Sequence, residues 1–325
     1  LLTRIFIFCI FFGALYSCAS FSPLLKKKSW DNTLLTVETL SLFNQKIPTM
    51  ENYKSSWEGD WLLRRKRLSL LDKLLANNLP NIIFFQEMLN KNAIDSDAAI
   101  LESSSLAYYK SFPVSIKEDP KTDEEEFSSI YVRLEDLPPD AIKATKKVWK
   151  LEDSSYLIFQ KLIVNRKPLY LFNVNIPYEN KDPEKFFVFL RNKIEESIMA
   201  QEDCLNHIIV AGYFGSEKLR DLNLMMRFLG LIDTASGFCS EGQMCDTQNP
   251  SNPIFNSSSL ENKFSRTDRI FVHKSTRIEN AKITYSEHTP SLSSFKAKYQ
   301  LHSIAPSLRY GWQTKIKFAR CSKKL

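Results

Sequence analysis

Apolar and polar positions along this chain follow two periods in turn. Ile208-Ile209-Val210-Ala211 is an unbroken apolar run that ends at Gly212 and opens into Tyr213-Phe214-Gly215. Such a run predicts a strand buried on both faces that delivers a loop to the edge of a sheet. Leu34–Leu42 alternates loosely and reads as the first core strand. Asn81–Glu87, Ser129–Arg133, Ala281–Tyr285 and Ser303–Trp312 read as further strands. Tyr156–Val164 and Leu169–Val174 pair around the turn Asn165-Arg166-Lys167-Pro168. Between the strands the period changes to 3.6. Over Trp61–Asn77, Leu63, Leu70, Leu71, Leu74 and Leu75 share one face, and Arg64, Arg65, Lys66 and Arg67 lie largely away from it. Asn77-Asn78-Leu79-Pro80 stops that helix. Asp182-Pro183 starts another, with Phe186, Phe187, Leu190, Ile194 and Ile198 on its buried face. A third is expected around Asp221–Leu229. Lys117–Phe127, acidic and polar, reads as a surface loop. No internal repeat is visible. Strands alternating with helices predict an α/β domain.

The N-terminus breaks this pattern. Arg4 precedes an apolar stretch from Ile5 to Tyr16, about 12 residues, the length of a signal-peptide core and short for a membrane span. Leu15-Tyr16-Ser17-Cys18 follows and resembles a lipobox, so Cys18 is the expected lipidation site. The other reading is ordinary cleavage near Ala19 or Ser20, giving a secreted chain. The expected organisation is a lipoprotein signal peptide over residues 1–17, a tether over 18–32 carrying Lys26-Lys27-Lys28, and one domain over 33–325. The expected location is the bacterial cell envelope, with a membrane as partner through the anchor. Export also fits the cysteines. With Cys9 and Cys18 set aside, Cys204, Cys239, Cys245 and Cys321 remain, in a compartment where disulfides persist. Cys239 and Cys245 bracket a short loop and are the expected bridge. Cys204 and Cys321 are paired by parity alone.

Composition adds two limits. Only 8 glycines occur in 325 residues, which disfavours a phosphate-cradling glycine loop. The net charge of +7 favours anionic partners, namely a phosphate-bearing ligand, nucleic acid or acidic lipid. No nucleic-acid-binding module with interleaved aromatics is present.

Several segments together resemble the endonuclease/exonuclease/phosphatase superfamily, which includes exonuclease III, deoxyribonuclease I and sphingomyelinases. The helix followed by Pro80-Asn81-Ile82-Ile83-Phe84-Phe85-Gln86-Glu87 is similar to that family's P-D-I-I-x-x-Q-E. Phe172-Asn173-Val174-Asn175-Ile176 is similar to F-N-T-H-L, and Val210–Gly215 to the G-D-F-N stretch. Leu231-Ile232-Asp233 resembles G-L-x-D, and Cys245-Asp246-Thr247-Gln248-Asn249-Pro250 resembles a T-C-D loop. Arg266–Phe271 resembles R-x-D-R-I-F. The resemblance spans roughly residues 33–315. It implies a four-layer α/β sandwich, two mixed sheets face to face with helices outside.

It also implies roles. Glu87 stands where the family ligates Mg²⁺, Asp268 where an Asp orients the catalytic His, and His302 where that His lies. Ser286-Glu287-His288 is the competing position, nearer to the family's S-D-H locally but one strand too early. Other positions depart from the family. Ser41 replaces an Asn, Asn175 a His, Tyr213 an Asp, Gly215 an Asn and Leu301 an Asp. Each lost donor, acid or base typically lowers the rate by ~10²–10⁴. The leading expectation is therefore an exported, lipid-anchored protein with a degenerate site. It would hold Mg²⁺ weakly or not at all and would bind a phosphate-bearing or protein partner. The second is an active Mg²⁺-dependent phosphodiesterase using Glu87 and His302.

Overall fold

The computed structural model describes residues 33–42, 61–90, 96–119, 124–136, 145–151, 155–164, 167–176, 183–199, 206–215, 219–239, 245–247, 267–286, 289–290, 303–304 and 311–320. Cys18, the tether, Cys204, Cys321, His288, Leu301 and His302 lie outside these residues.

The first sheet has six strands. At its centre β1 (Leu34–Ser41) runs parallel to β2 (Ile82–Asn90). Beyond β2 lie β4 (Glu124–Arg133) and then β3 (Tyr109–Asp119), each antiparallel to its neighbour. On the other side of β1 come β14 (Gly311–Lys317) and the edge strand β11 (Arg277–Thr284). The second sheet is also six-stranded. It comprises β5 (Thr145–Lys150), β6 (Tyr156–Val164), β7 (Lys167–Ile176), β8 (Ile208–Phe214), β10 (Asp268–His273) and β9 (Leu231–Asp233), in that spatial order. β7 and β8 are its parallel pair.

Strand alternation sorts the side chains. Leu35, Val37, Phe84, Ile130 and Ile316 of the first sheet meet Ile158, Leu171, Ile209, Ala211 and Ile270 of the second in one core between the sheets. The outer faces are covered by helices. Leu68, Leu71 and Leu75 of α1 (Trp61–Asn78) pack on the first sheet with Leu40, Ile83 and Phe85, alongside Leu101 of α2 (Asp97–Glu102). Phe186, Phe187, Leu190 and Ile194 of α3 (Pro183–Met199), with Leu222 and Met226 of α4 (Leu219–Phe228), cover the second. The expected four-layer sandwich of two mixed sheets is what the chain forms.

Three local expectations change. Lys117–Asp119 and Glu124–Phe127 are strand rather than loop, the ends of β3 and β4, with Lys117 opposite Glu126 and acidic residues opposite each other beyond it. The edge position of β3 lets so charged a segment stay in a sheet. Arg67 is not on a solvated face. It is buried, and its guanidinium donates to the Leu42 carbonyl at 3.2 Å. Finally, Ser303–Trp312 is not one strand. β13 (Ser303–Ile304) pairs with β12 (Thr289–Pro290), and β14 begins at Gly311. Trp312 is the second residue of β14, and its indole donates to Thr234 Oγ1 across the sandwich at 3.1 Å.

Two residues carry consequences for stability. Gly212 sits in β8 at φ +143°, and a Cβ there would lie 1.9 Å from the Val174 carbonyl oxygen of β7. Neither backbone can yield within a paired sheet. Gly212→Ala is expected to lose ~3 kcal/mol or more, read from the urea midpoint. Glu38 lies fully buried on the outer face of β1, where it accepts from Thr284 Oγ1 at 2.8 Å and Gln313 Nε2 at 3.0 Å. Burial raises its carboxyl above the ordinary 4.5, against the pull of those donors. A carboxyl with a raised folded pKa favours folding below its unfolded value, and that contribution is lost as pH climbs through the folded one. Glu38→Gln is therefore expected to gain stability relative to the parent as pH rises from about 4 to about 8. Urea midpoints across that range check this, and a pH-independent difference would contradict it.

Candidate active site

The inner faces of the central strands are apolar for most of their length and turn polar at one end. β1 contributes Ser41, whose Cα partner is Gln86 of β2. In the second sheet Tyr156 pairs with Asn175, Asn175 with Tyr213, and Tyr213 with Asp268. Strand period places Ser41, Asn173, Asn175, Tyr213 and Asp268 on the side facing the other sheet. All are buried, as are Glu87, Ser128 and Tyr156.

Glu87 reaches this layer through a break in register. Between Phe85 and Met88, Gln86 and Glu87 together oppose Ser128 of β4, and Glu87 adopts φ +56°. A bulge of this kind re-aims a side chain, and a left-handed non-glycine residue stores ~1–3 kcal/mol of strain. The bulge leaves Gln86 facing the second sheet and turns Glu87 toward β1. Ser41 Oγ then donates to Glu87 Oε2 at 2.6 Å. Gln86 Nε2 donates to Asn173 Oδ1 at 2.7 Å, and Asn173 Nδ2 donates to the Phe85 carbonyl at 3.0 Å. This pair of hydrogen bonds ties the two sheets together at the polar end.

Asp268 is held from the other side. Its Oδ2 accepts from Thr267 Oγ1 at 3.2 Å, and its backbone N–H donates to Thr247 Oγ1 at 3.1 Å. The same Thr247 oxygen accepts from the Thr267 N–H at 3.0 Å. Thr247 follows Cys245, which is bonded to Cys239 as expected, with Cα atoms 5.8 Å apart. The bridge thus fixes the segment whose hydroxyl seats Asp268. Arg269 points to the opposite face of β10 and forms a buried ion pair with Asp233 of β9 at 2.9 Å. The R-x-D-R and G-L-x-D segments therefore meet through that pair.

Three members of the layer escaped the sequence reading. Tyr156 and Ser128 share a short hydrogen bond between their hydroxyls across the sandwich. Burial pushes the Tyr156 phenol well above its ordinary value. Thr247 was legible only as part of its loop. A tyrosine opening an apolar strand, or a serine within one, carries no one-dimensional mark of facing a site. Gly215 follows β8 and is buried, and Phe214 beside it donates to the Thr267 carbonyl at 2.8 Å.

Mg²⁺, which the resemblance implies, can be tested against these donors. The ion takes oxygen ligands in near-octahedral order, with one or two carboxylates plus water and substrate phosphate. Among the described residues no group of three or more His, Cys, Asp or Glu side chains is placed to hold a metal ion. Glu87 is the carboxylate at the expected position, and one of its oxygens already receives the Ser41 hydroxyl. Glu87 is the residue that would hold the ion, with water and a ligand phosphate supplying the other positions.

No family model and no curated protein matches the sequence. Solved structures do match the fold. A truncated TDP2 of Caenorhabditis elegans is similar at 14% identity and a TM-score of 0.58, over 90% of this chain and 100% of that one. A mannosyl-6-phosphatase of Bacteroides thetaiotaomicron is similar at 16% identity and 0.59, over 87% and 100%. An endonuclease/exonuclease/phosphatase family protein of the same organism gives 16% and 0.61, over 89% and 98%. At these identities the likeness concerns the fold: the chain has the endonuclease/exonuclease/phosphatase fold.

Asn173→Ala tests the tie between the sheets. It unpairs the Phe85 carbonyl from its side-chain donor, a loss of ~1–3 kcal/mol, while Gln86 Nε2 keeps Thr39 Oγ1 and the Phe84 carbonyl, each at 3.2 Å. The expected loss is about 2 kcal/mol in urea unfolding, with far-ultraviolet circular dichroism unchanged in the folded baseline. A loss under ~0.5 kcal/mol would mean that the two sheets do not depend on this bridge.

Proposed function

We propose that the chain is an exported protein of the cell envelope that uses a phosphoesterase-type fold to bind a phosphate-bearing ligand, with turnover absent or strongly impaired. The observation that carries this reading is Tyr213. Its ring is fully buried in the polar layer, paired in register with Asn175 on one side and Asp268 on the other. Where the family resemblance places a carboxylate to handle the attacking water, an aromatic ring occupies the volume. A phenol with an ordinary pKa of ~10 is a poor base at neutral pH. Ser41 and Asn175 remain as polar groups beside it, suited to hydrogen-bonding a phosphate rather than to moving a proton. The substrate class of one structural neighbour, a mannosyl-6-phosphatase, supports a phosphate ester as the ligand type. The leader-like Ile5–Tyr16, the lipobox-like segment at Cys18 and the Cys239–Cys245 bridge support export.

Turnover of bis-p-nitrophenyl phosphate, a sugar phosphate and single-stranded DNA, each with Mg²⁺, tests the reading. The expected result is product release at background, together with calorimetric binding of a phosphate ester that Ser41→Ala or Asn175→Ala weakens about tenfold. Turnover that Glu87→Ala abolishes would overturn it and return the protein to the hydrolases.

A further inference from the structure

We infer that the outer face of the first sheet at the β11–β14 edge is a docking surface for an anionic phospholipid bilayer. On that face strand pairing sets Lys317 beside Leu34 and Arg277, Lys315 beside Thr36 and Asn280, and Gln313 beside Glu38 and Lys282. α1 packs over β1 and β2 and ends at Asn78, its last turn bordering the groove beside Lys282 and Lys315. Among the described residues no helix packs over β11 and β14. Lys282 and Lys315 are exposed and Lys317 is half-buried. Arg277 is neutralised by Glu279 at 2.9 Å, whereas none of the three lysines has an ion pair among the described residues. Lys282 and Lys315 also line an open groove of about 320 Å³, whose other walls include Thr36, Gln313 and Asn77 at the end of α1.

Lys317 stands directly opposite Arg277, and Lys282 lies near the buried Glu38 of the same face, so the exposed charge of this face is net cationic and suits an anionic surface. Two observations select a membrane. First, the face is cationic, and among the described residues it carries no exposed aromatic on which a base would stack, Tyr285 being buried against Glu38. Second, β1 opens at this same end. Leu34 is 52% exposed beside Lys317, and the chain before it carries Lys26-Lys27-Lys28 and the expected lipid attachment at Cys18. An acyl chain there would deliver this face to the headgroups. The polar layer of the candidate site lies between the sheets at the Ser41 end of β1, roughly 10 Å by strand rise from the level of Lys282 and roughly 23 Å from that of Lys317, on the other face of the sheet. Clustered lysines near an anionic leaflet each add about fivefold to partitioning at physiological salt.

The test uses the full chain carrying Cys18→Ser, so that no acyl chain contributes. Co-sedimentation compares vesicles of phosphatidylcholine alone with vesicles containing phosphatidylglycerol. Wild type is expected to prefer the anionic vesicles and to lose that preference at high salt. The triple variant Lys282→Gln, Lys315→Gln, Lys317→Gln should lose on the order of 100-fold of the preference. Lys66→Gln, Lys147→Gln, Lys185→Gln, equal in charge change but spread elsewhere, should retain it. The single change Lys315→Gln, at about fivefold, carries the test if the triple variant does not fold. Equal binding to both vesicle types, or equal loss in the two triple variants, would overturn the proposal. So would retention of duplex DNA that depends on these lysines without any anionic-lipid preference, which would assign the face to nucleic acid. None of these readouts depends on turnover at the candidate site.

Discussion

Two sheets stacked face to face share a core that is apolar except at one end, and Gln86 and Asn173 close that end. Their amides span the sandwich, and Asn173 also satisfies the Phe85 carbonyl, which the bulge in β2 takes out of the ladder's regular register. A buried amide pair is worth little net against water, but leaving either partner alone is expensive. The bridge therefore fixes the relative placement of the sheets more than it adds to total stability. Ser41, Glu87, Asn175, Tyr213 and Asp268 hang from strands on either side of it. A slip of one sheet over the other would scatter them.

The bulge and the bridge depend on each other. Without the extra residue, Glu87 would follow Gln86 onto the outer face, under α1, where its carboxylate would meet the Leu71 and Leu75 cluster. With it, the carboxylate is met by the Ser41 hydroxyl. The local strain at Glu87 is held by the Ser41 hydrogen bond and the β2–β4 ladder on either side of the bulge, and Tyr213 lies among the acidic and amide groups of the same layer. The rest of the outer face of β1 carries a different electrostatic logic, with cations left outside the fold and one buried acid, Glu38, whose carboxyl burial pushes up against the opposing pull of its donors.

Polarity is thus divided by strand direction and by face. The end where parallel strands β1 and β2 finish carries hydrogen-bonding groups between the sheets. The open outer face beside β14 carries charge toward solvent. A ligand in the first and a surface against the second would not compete for the same atoms.

Periodicity by itself determined much of this protein. The run Ile208–Ala211 had to be a doubly buried strand, because no other element hides four consecutive apolar residues in so short a span. The leucines of Trp61–Asn78 and the phenylalanines of Pro183–Met199 had to face a core. The R-x-D-R segment marked the start of a strand, the Q-E segment fell at a bulge inside β2 rather than at its end, and two cysteines six residues apart marked a bridge. What the sequence left open were properties of pairing between distant strands. That Arg67 would be buried, that Lys117–Asp119 and Glu124–Phe127 would be strand, and that the last strand would begin at Gly311 each depended on a partner elsewhere in the chain. So did the membership of Tyr156, Ser128 and Thr247 in the polar layer. A hydroxyl in a strand carries no periodic signal. Only the stacking of the second sheet on the first decides whether it meets a partner, a ligand or the core.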